Sequence, residues 1–187
     1  SGKLLVYEGE PILAVYHAIS GGVTETAGVY WGNDVAYLQS VEGPGDTLAP
    51  EYQTQVSFGA ADLQSALLTA FPDLTLPEDT AAWFGEAQLS PAGTVTSIAV
   101  GSGTLSGRQI REALGLRSAN FSILAADGVF TFTVKGYGHG VGMSQYGADY
   151  MARQGTKWQD ILTHYYKGAS MLSVEEQAAA VSSGVSA

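Results

Sequence analysis

The sequence contains no cysteine, so neither disulfide bonds nor thiolate metal sites can form. It is also poor in positive charge, because 8 Lys and Arg residues stand against 18 Asp and Glu, giving a formal net charge of −10. A chain of this charge lacks the basic surface on which nucleic acids and anionic membranes bind. No apolar run approaches the roughly 20 residues that cross a bilayer. We therefore expect no nucleic-acid partner and no membrane-spanning segment within this sequence.

The residues that are present indicate one globular unit. A length of 187 residues suits a single domain, and the 45% share of hydrophobic residues suffices for a sizeable core. The chain starts at Ser1 with no Met and no charged-then-apolar leader, which indicates a processed form or an excised fragment. The 24 glycines are unevenly placed and indicate special backbone geometry at particular sites.

Local patterns predict an α+β fold, with a β-rich core of antiparallel strands and several short helices. Asp127-Gly128 between two alternating segments is the strongest hairpin signal, and Ser106 with Gln109 forms a capping box. The predicted strands are 4–7, 12–17, 94–100, 120–126 and 129–135. The predicted helices are 63–70, 106–114, a segment ending near Gly155, 156–165 capped by Thr156, and a weak last helix from Ser173. Residues 72–92 are predicted to be a loop.

The segment from Gly136 to Gly147 has the clearest functional pattern. Glycines at positions 136, 138, 140 and 142 permit positive φ angles or a close approach of another backbone, which no core strand requires. His139 lies in the middle of this loop, and Ser144 lies where a helix is predicted to begin. A plain glycine-rich turn with a buried, hydrogen-bonded histidine is the alternative interpretation.

A second segment, residues 17–25, collects an imidazole, two hydroxyls and a carboxylate around Gly21-Gly22. Taken alone it is typical of an ordinary polar turn at the end of a strand. Taken with the glycine-rich segment, it predicts two loops that converge on one groove.

Three conventional kinds of active site are weakly supported. A serine hydrolase elbow needs Gly-x-Ser-x-Gly, but the glycine after Ser144 comes one residue too late. A zinc hydrolase needs paired histidines, whereas His17, His139 and His164 are far apart in sequence. No pair of carboxylates stands out for a two-carboxylate glycosidase.

The segment 136–148 closely resembles the signature of the SpoIID/LytB family of bacterial cell-wall proteins, and further positions follow the family in order over roughly residues 5–170. These positions are Pro11-Ile12, 20–25, 29–32, 37–41, 105–108, Arg117-Ser118, Ile161-Leu162 and Tyr165-Tyr166. We therefore expect residues 1–170 to be a SpoIID-like domain and residues 171–187 to be a C-terminal helix or tail.

The resemblance implies a secreted or membrane-anchored lytic transglycosylase that acts on peptidoglycan glycan strands stripped of their peptides. Such an enzyme cleaves the bond between N-acetylmuramic acid and N-acetylglucosamine without water and leaves a 1,6-anhydro sugar. One acid, usually Glu, protonates the leaving oxygen and then deprotonates the 6-hydroxyl of the sugar. A cell-wall amidase is a possible partner, and the oligomeric state stays open.

The sequence departs from the family in one respect. The catalytic Glu of the family lies in a Glu-Met segment upstream of the region that resembles residues 1–22, and this chain contains no such segment. Glu25, Glu42 and Glu112 lack that context, so no catalytic acid is assigned here. Some members hold zinc with a His and Cys; His17 could be that His, but without cysteine we expect no metal and no other cofactor.

We expect the two loops to line a substrate groove that positions sugar and supports developing charge. The predicted substrate-binding residues are His17, Ser20, Gly21, Gly22, Thr24, Glu25, His139, Gly140, Gly142, Ser144, Gln145 and Tyr146. Among the aromatic residues, Tyr37, Tyr137 and Tyr146 are candidates for stacking on sugar rings, and core packing is the alternative for each.

Two other functions stay open at this stage. The chain could be a non-catalytic module that binds glycan or stimulates an amidase. It could also be a Ser144–His139 hydrolase, which requires the Ser144 hydroxyl within hydrogen-bond reach of an imidazole nitrogen.

Overall fold

A computed structural model gives the structure of residues 2–182. The strands in this part of the chain are β1 (Lys3–Tyr7), β2 (Glu10–Pro11), β3 (Tyr16–His17), β4 (Gln53–Gly59), β5 (Phe84–Leu89), β6 (Val95–Val100), β7 (Gly103–Leu105), β8 (Phe121–Ala126), β9 (Val129–Lys135), β10 (Met143–Ser144) and β11 (Ser170–Ser173). The α-helices are α1 (Ala27–Trp31), α2 (Ala60–Ala70), α3 (Gly107–Leu114), α4 (Gln145–Arg153), α5 (Trp158–Tyr165) and α6 (Val174–Ser182), and short 3₁₀ turns cover Asp46–Leu48 and Thr80–Ala82.

The strands of the described chain form small sheets with the orders β11-β1-β2, β4-β9-β8, β5-β6-β7 and β10-β3. The three larger sheets are antiparallel, whereas the two-residue pairing of β10 with β3 is parallel. Helix accounts for 30% and strand for 31% of the residues, which confirms the predicted α+β class.

The β8–β9 hairpin confirms the strongest local prediction. Asp127 and Gly128 both have positive φ angles, 51° and 73°, which is the backbone of a tight two-residue turn. On β9 the side chains of Phe130, Phe132 and Val134 are buried, while the alternate threonines face outward. The hairpin thus contributes one apolar face to the core and one polar face to solvent.

The predicted helix α3 is also confirmed. Its capping box is complete, because the Ser106 hydroxyl accepts from Gln109 N at 3.2 Å and the Gln109 side chain accepts from Ser106 N at 2.8 Å. Gly115 ends the helix with a φ of 65°. The predicted cap of α5 is wrong, since Lys157 occupies the N-cap position and no side chain caps that end.

Three other parts of the chain differ from the sequence prediction. Of the predicted second strand, 12–17, only Tyr16–His17 is a strand, β3, which pairs with β10. Strand β2 lies before it, at Glu10–Pro11, and pairs with β1 across the two-residue turn Glu8-Gly9. Within the predicted loop 72–92, β5 forms a strand against β6, with register shifts that weaken its alternation in sequence. Strand β4 was not predicted, because most of its side chains are exposed and its partner β9 is distant in sequence.

Two hydrophobic cores lie on either side of the glycine-rich segment. The first core is made by residues 63–134: Leu63, Leu67, Leu74, Trp83, Val95, Ile98, Val100, Leu105, Ile110, Leu116, Phe121, Phe130, Phe132 and Val134. The second core combines early and late parts of the chain: Ala27, Tyr30, Leu38, Val41, Ala119, Val141, Ile161, Tyr165, Tyr166 and Ala169. The glycine-rich segment leaves β9 in the first core and enters α4 next to the second.

The C-terminal residues are joined to the N-terminal strand. Strand β11 pairs with β1 from Lys3↔Ser173 to Val6↔Ser170, and Ser173 and Glu176 cap α6 with reciprocal hydrogen bonds. The predicted domain boundary at residue 170 stays a prediction, and residues 183–187 of the predicted tail lie outside the described residues. No helix between residues 2 and 182 has the length and apolar character needed to cross a bilayer.

Candidate functional site

The glycine-rich segment lies directly against residues 17–25. Tyr137 N donates to Ile19 O at 2.7 Å, Glu25 N donates to Gly140 O at 2.8 Å, and β3 pairs with β10. Two segments more than 100 residues apart in sequence therefore form one backbone network.

The alternating glycines have the geometry that their spacing predicts. Glycines 136, 138, 140 and 142 all have φ between 73° and 115°. A Cβ on Gly138 would lie 2.7 Å from the Cβ of His17, and one on Gly142 would lie 2.2 Å from Val15 O. Any side chain at these two positions would separate the segments.

His17 and His139 are joined through the peptide groups of Val141. His17 Nδ1 lies 3.1 Å from Val141 O, which can only accept, so this nitrogen carries the proton. Val141 N donates to His139 Nδ1 at 3.1 Å. The remaining nitrogen of His17, Nε2, is buried and has no hydrogen-bond partner within the described residues.

Burial sets the protonation of both imidazoles. The pKa of His17 falls from 6.5 to about 4, chiefly by desolvation, while its bond to Val141 O opposes the shift. Desolvation also lowers the pKa of His139, and the nearby Arg111 charge adds to this effect. The ring of His139 packs 5.2 Å from Trp31 and 5.9 Å from Tyr30, between centroids. Both histidines are therefore neutral at pH 7.

The stability of the chain should fall as pH drops from 6.5 to 4. The unfolded chain binds a proton on His17 near pH 6.5, whereas the folded chain resists it until about pH 4. The shift corresponds to a loss of about 3 kcal/mol of unfolding free energy across this window. Urea unfolding at a series of pH values measures it. The His17→Asn variant keeps a donor for Val141 O and is the control, and an unchanged pH slope in that variant would contradict the assignment.

Glu25 is buried, and both of its carboxylate oxygens are hydrogen-bonded. Oε1 accepts from Thr26 N at 2.8 Å, and Oε2 accepts from the Ser90 hydroxyl at 2.5 Å. Next to Glu25 and His139 lies a cavity of about 20 Å³, which is the size of one water molecule. Glu25 therefore fixes the segment 17–25 and does not present a free acid at the surface.

Asp46 links the two segments through hydrogen bonds from Ser20 and Ser144. This residue was not identified from the sequence. It is fully buried, and it accepts from Ser20 N at 3.0 Å, from the Ser20 hydroxyl, and from the Ser144 hydroxyl at 2.7 Å. Each serine hydroxyl in turn accepts from a backbone N–H, Gly22 N at 3.1 Å and Gly147 N at 3.2 Å. Desolvation raises the pKa of Asp46, and the hydroxyl bonds oppose that shift.

An open groove of about 340 Å³ lies beside the segment 17–25, which contributes Gly21 and Val23 to its lining. One wall is small or apolar, with Val23, Pro91 and Ala92, and another is polar, with Asn120 and the outer side of β8 and β9. The water-sized cavity beside Glu25 shares several lining residues with this groove, so the groove leads towards Glu25 and His139.

The structure places only some of the twelve predicted site residues at the surface. The buried ones are His17, Ser20, Thr24, Glu25, Gly142 and Ser144. The partly or fully exposed ones are Gly21, Gly22, His139, Gly140, Gln145 and Tyr146. Substrate contact by these exposed residues stays a prediction.

The aromatic candidates differ in exposure. Tyr137 is 47% exposed, and the Arg117 guanidinium lies 4.4 Å from its ring centroid. Tyr37 packs against the second core and accepts from Leu13 N, so it contributes to the fold. Tyr146 is half-buried. Of the three, Tyr137 presents the most ring surface.

Two site types considered from the sequence do not fit. The Ser144 hydroxyl donates to Asp46 and not to an imidazole, so the geometry required for a Ser144–His139 hydrolase is absent. A zinc site at His17 needs further ligands close to its imidazole. Residues 2–182 offer no group of three or more His, Asp or Glu placed to hold a metal ion.

Sequence reasoning missed Asp46, Ser90 and Lys135. Asp46 follows the turn Gly43-Pro44-Gly45, but an acidic residue after a turn is not distinguishable in sequence from an exposed one. Ser90 lies in the segment predicted to be a loop. Lys135 ends a predicted strand, and its place in the groove depends on a turn distant in sequence.

Comparison with known proteins identifies relatives that span nearly the whole chain. Over 171 residues, or 91% of this chain, it is 42% identical to the stage II sporulation protein D of Bacillus amyloliquefaciens, and over 170 residues 40% identical to that of Bacillus subtilis. The match covers 48% of each of these relatives, so the chain spans about half their length. The amidase enhancer of Bacillus subtilis is 26% identical over 227 residues, covering 92% of this chain and 31% of the relative. No family profile matches the chain.

Proposed function

Because the chain belongs to the family of the stage II sporulation protein D, whose members serve the bacterial cell wall, we propose that it forms the substrate-binding part of a lytic transglycosylase. The substrate is the peptide-free glycan strand of peptidoglycan, cleaved between N-acetylmuramic acid and N-acetylglucosamine to a 1,6-anhydro product. The location is extracytoplasmic, either secreted or membrane-associated. A cell-wall amidase is the proposed partner, which the amidase enhancer relative supports.

The observation that carries this proposal is the groove beside Gly21 and Val23 of the segment 17–25. A sugar ring has apolar C–H faces and a rim of hydroxyls, and the groove offers a matching pair of walls. Val23, Pro91 and Ala92 provide apolar contact, while Asn120 and Thr133 provide hydrogen-bonding groups. Its volume of about 340 Å³ lies within the range of small-molecule sites.

We propose that the exposed residues of the glycine-rich segment position the sugar. Gly140 leaves backbone exposed, and His139 presents a half-buried neutral imidazole that can donate or accept a hydrogen bond. Gln145 and Tyr146 are the first two residues of α4, and they follow His139 closely in the sequence. The buried residues beneath them keep these groups in fixed positions.

The catalytic acid is proposed to come from sequence outside these 187 residues. Glu25 has both oxygens engaged and is buried, and Glu112 is exposed and paired with Arg108 at 2.9 Å. Neither carboxyl is free at the groove. The half of the relatives that this chain does not span is where we place the acid.

Binding of peptide-free glycan oligomers to this chain should be weak, with a Kd in the millimolar range, or about −4 kcal/mol. The reason is that the chain supplies only part of the groove, and sugars usually need contacts on both sides. Titration of ¹⁵N-labelled chain by NMR measures the affinity and locates the contacts. Sub-micromolar affinity would contradict the proposal that this chain supplies only part of the groove. The absence of any binding would contradict the proposed substrate.

A non-catalytic module that binds glycan or stimulates an amidase is the second candidate function. The similarity to the amidase enhancer favours it. The hydrogen bonds that both carboxylate oxygens of Glu25 accept also favour it, because they leave this carboxylate without a free oxygen for catalysis. The two candidates differ in outcome, because a module of this kind increases the activity of an added amidase and never yields anhydro products, even in a longer chain.

A further inference from the structure

The outer face of the sheet β4-β9-β8 carries several polar side chains next to the groove. The strand register places Gln53, Gln55 and Ser57 of β4, Thr131, Thr133 and Lys135 of β9, and Ser122 of β8 on this face. The apolar Leu124, Ala126 and Val129 lie on the same face, towards the β8–β9 turn. We name the seven polar side chains the polar sheet face, and none of them is acidic.

The polar sheet face is ordered by its own hydrogen bonds. Ser57 and Thr131 share a bond of 2.8 Å between their hydroxyls, and Gln55 Nε2 donates to the Thr133 hydroxyl at 3.1 Å. The opposite side of the same sheet holds Phe130 and Phe132 in the first core. The face therefore presents amide and hydroxyl groups, some of them held by hydrogen bonds, and these are the partners that sugar hydroxyls need.

Lys135 is the positively charged residue of the polar sheet face, and it lies where this face meets the groove. Lys135 is a lining residue of both the 340 Å³ groove and the smaller cavity that borders Glu25 and His139. The ion pairs within residues 2–182 involve Arg108, Arg117 and Arg153, and none involves Lys135. An exposed ammonium without a protein partner, beside a groove, is available to an anionic group of a ligand.

From these observations we propose that Lys135 binds the lactyl carboxylate of a muramic acid residue, with the polar sheet face carrying the neighbouring sugars. The inference rests on the proposed function, because it takes a glycan strand as the ligand. In a peptide-free strand the lactyl group ends in a carboxylate, which is complementary to the ammonium. Where a peptide is attached, the same carbon is a neutral amide and the ion pair cannot form. Lys135 is thus a specificity-determining residue.

NMR titration of ¹⁵N-labelled chain with two oligomers tests the assignment. One is a peptide-free oligomer of alternating N-acetylglucosamine and N-acetylmuramic acid; the other is an N-acetylglucosamine oligomer of equal length, which has no carboxylate. We expect the first to bind more tightly, and Lys135→Met to weaken it by about fivefold, the size of a favourable exposed ion pair. Binding of the uncharged oligomer should not change.

Two further variants are the controls. Lys135→Arg keeps the charge and should restore affinity for the muramic oligomer, and Lys157→Met removes an exposed charge at the N-cap of α5 and should change neither titration. Amide shifts at Ser122 and Thr133 should accompany binding. Equal affinity of both oligomers for wild type and Lys135→Met would overturn this inference alone. No binding of either oligomer to the wild-type chain would overturn the proposed function and, with it, the inference.

Discussion

The 187-residue chain should release no 1,6-anhydro sugar from peptide-free glycan strands, whereas a protein extended upstream over the Glu-Met segment of the family should release it. Cleavage without water still requires an acid at the glycosidic oxygen, and general acid catalysis supplies roughly 10²–10⁴-fold in rate. His139 is a poor substitute for that acid, because desolvation and the nearby Arg111 charge lower its pKa and disfavour the protonated ring. Mass spectrometry of the digested glycan measures the products.

Variants of the extended protein separate the roles. His139→Ala should lower turnover and leave residual activity, since it removes positioning only. Glu25→Gln should have a smaller effect than loss of the upstream Glu, because Glu25 is bound by Thr26 N and the Ser90 hydroxyl. If residues 1–187 alone yield anhydro products, and Glu25→Gln abolishes them, then the acid lies in this chain and the proposed division of the site is wrong.

Asp46→Ala should destabilise the fold by about 2–4 kcal/mol, because a buried donor left without its acceptor costs about 1–3 kcal/mol and two hydroxyls lose theirs. The substitution leaves the Ser20 and Ser144 hydroxyls without their acceptor and opens a cavity between the two segments. Urea unfolding gives the free energy. Asp73→Ala, the same change at an exposed position in a turn, is the control and should fall within about 0.5 kcal/mol of wild type.

The serines provide a further test of the Asp46 network. Ser20→Ala and Ser144→Ala should each cost about 1–2 kcal/mol, less than the loss of Asp46, because each removes one hydrogen-bond chain and leaves the other. The double variant should deviate from additivity, since both hydroxyls bind the same carboxylate. A cost for Asp46→Ala no larger than that of Asp73→Ala would show that the network does not hold the segments together.

Local signals predicted the parts of the fold whose partners are close in sequence. The β8–β9 hairpin depends on Asp127-Gly128, and α3 depends on Ser106 and Gln109, so both could be derived from a few adjacent residues. Strand β4 could not, because Gln55 pairs with Thr133 at a separation of 78 residues and most of its side chains are polar.

The candidate site shows the same division. The glycine spacing and the turn at Gly21-Gly22 indicated that the two segments meet, and the structure has them in contact. Which side chains point inward could not be derived, since the burial of Ser20 and Ser144 follows from Asp46, which is 26 and 98 residues away from them. A hydroxyl next to a glycine is equally compatible with a sugar contact and with an internal hydrogen bond.

The two cores differ in how far apart in sequence their residues lie, and from this difference we expect an order of folding. The first core uses residues from one continuous stretch, 63–134. The second needs Ala27 and Leu38 to meet Ile161 and Tyr165, more than 100 residues away, and closing a longer loop costs more entropy. We therefore expect the first core to form before the second, and the paired segments of the candidate site, which join the two cores, to form late.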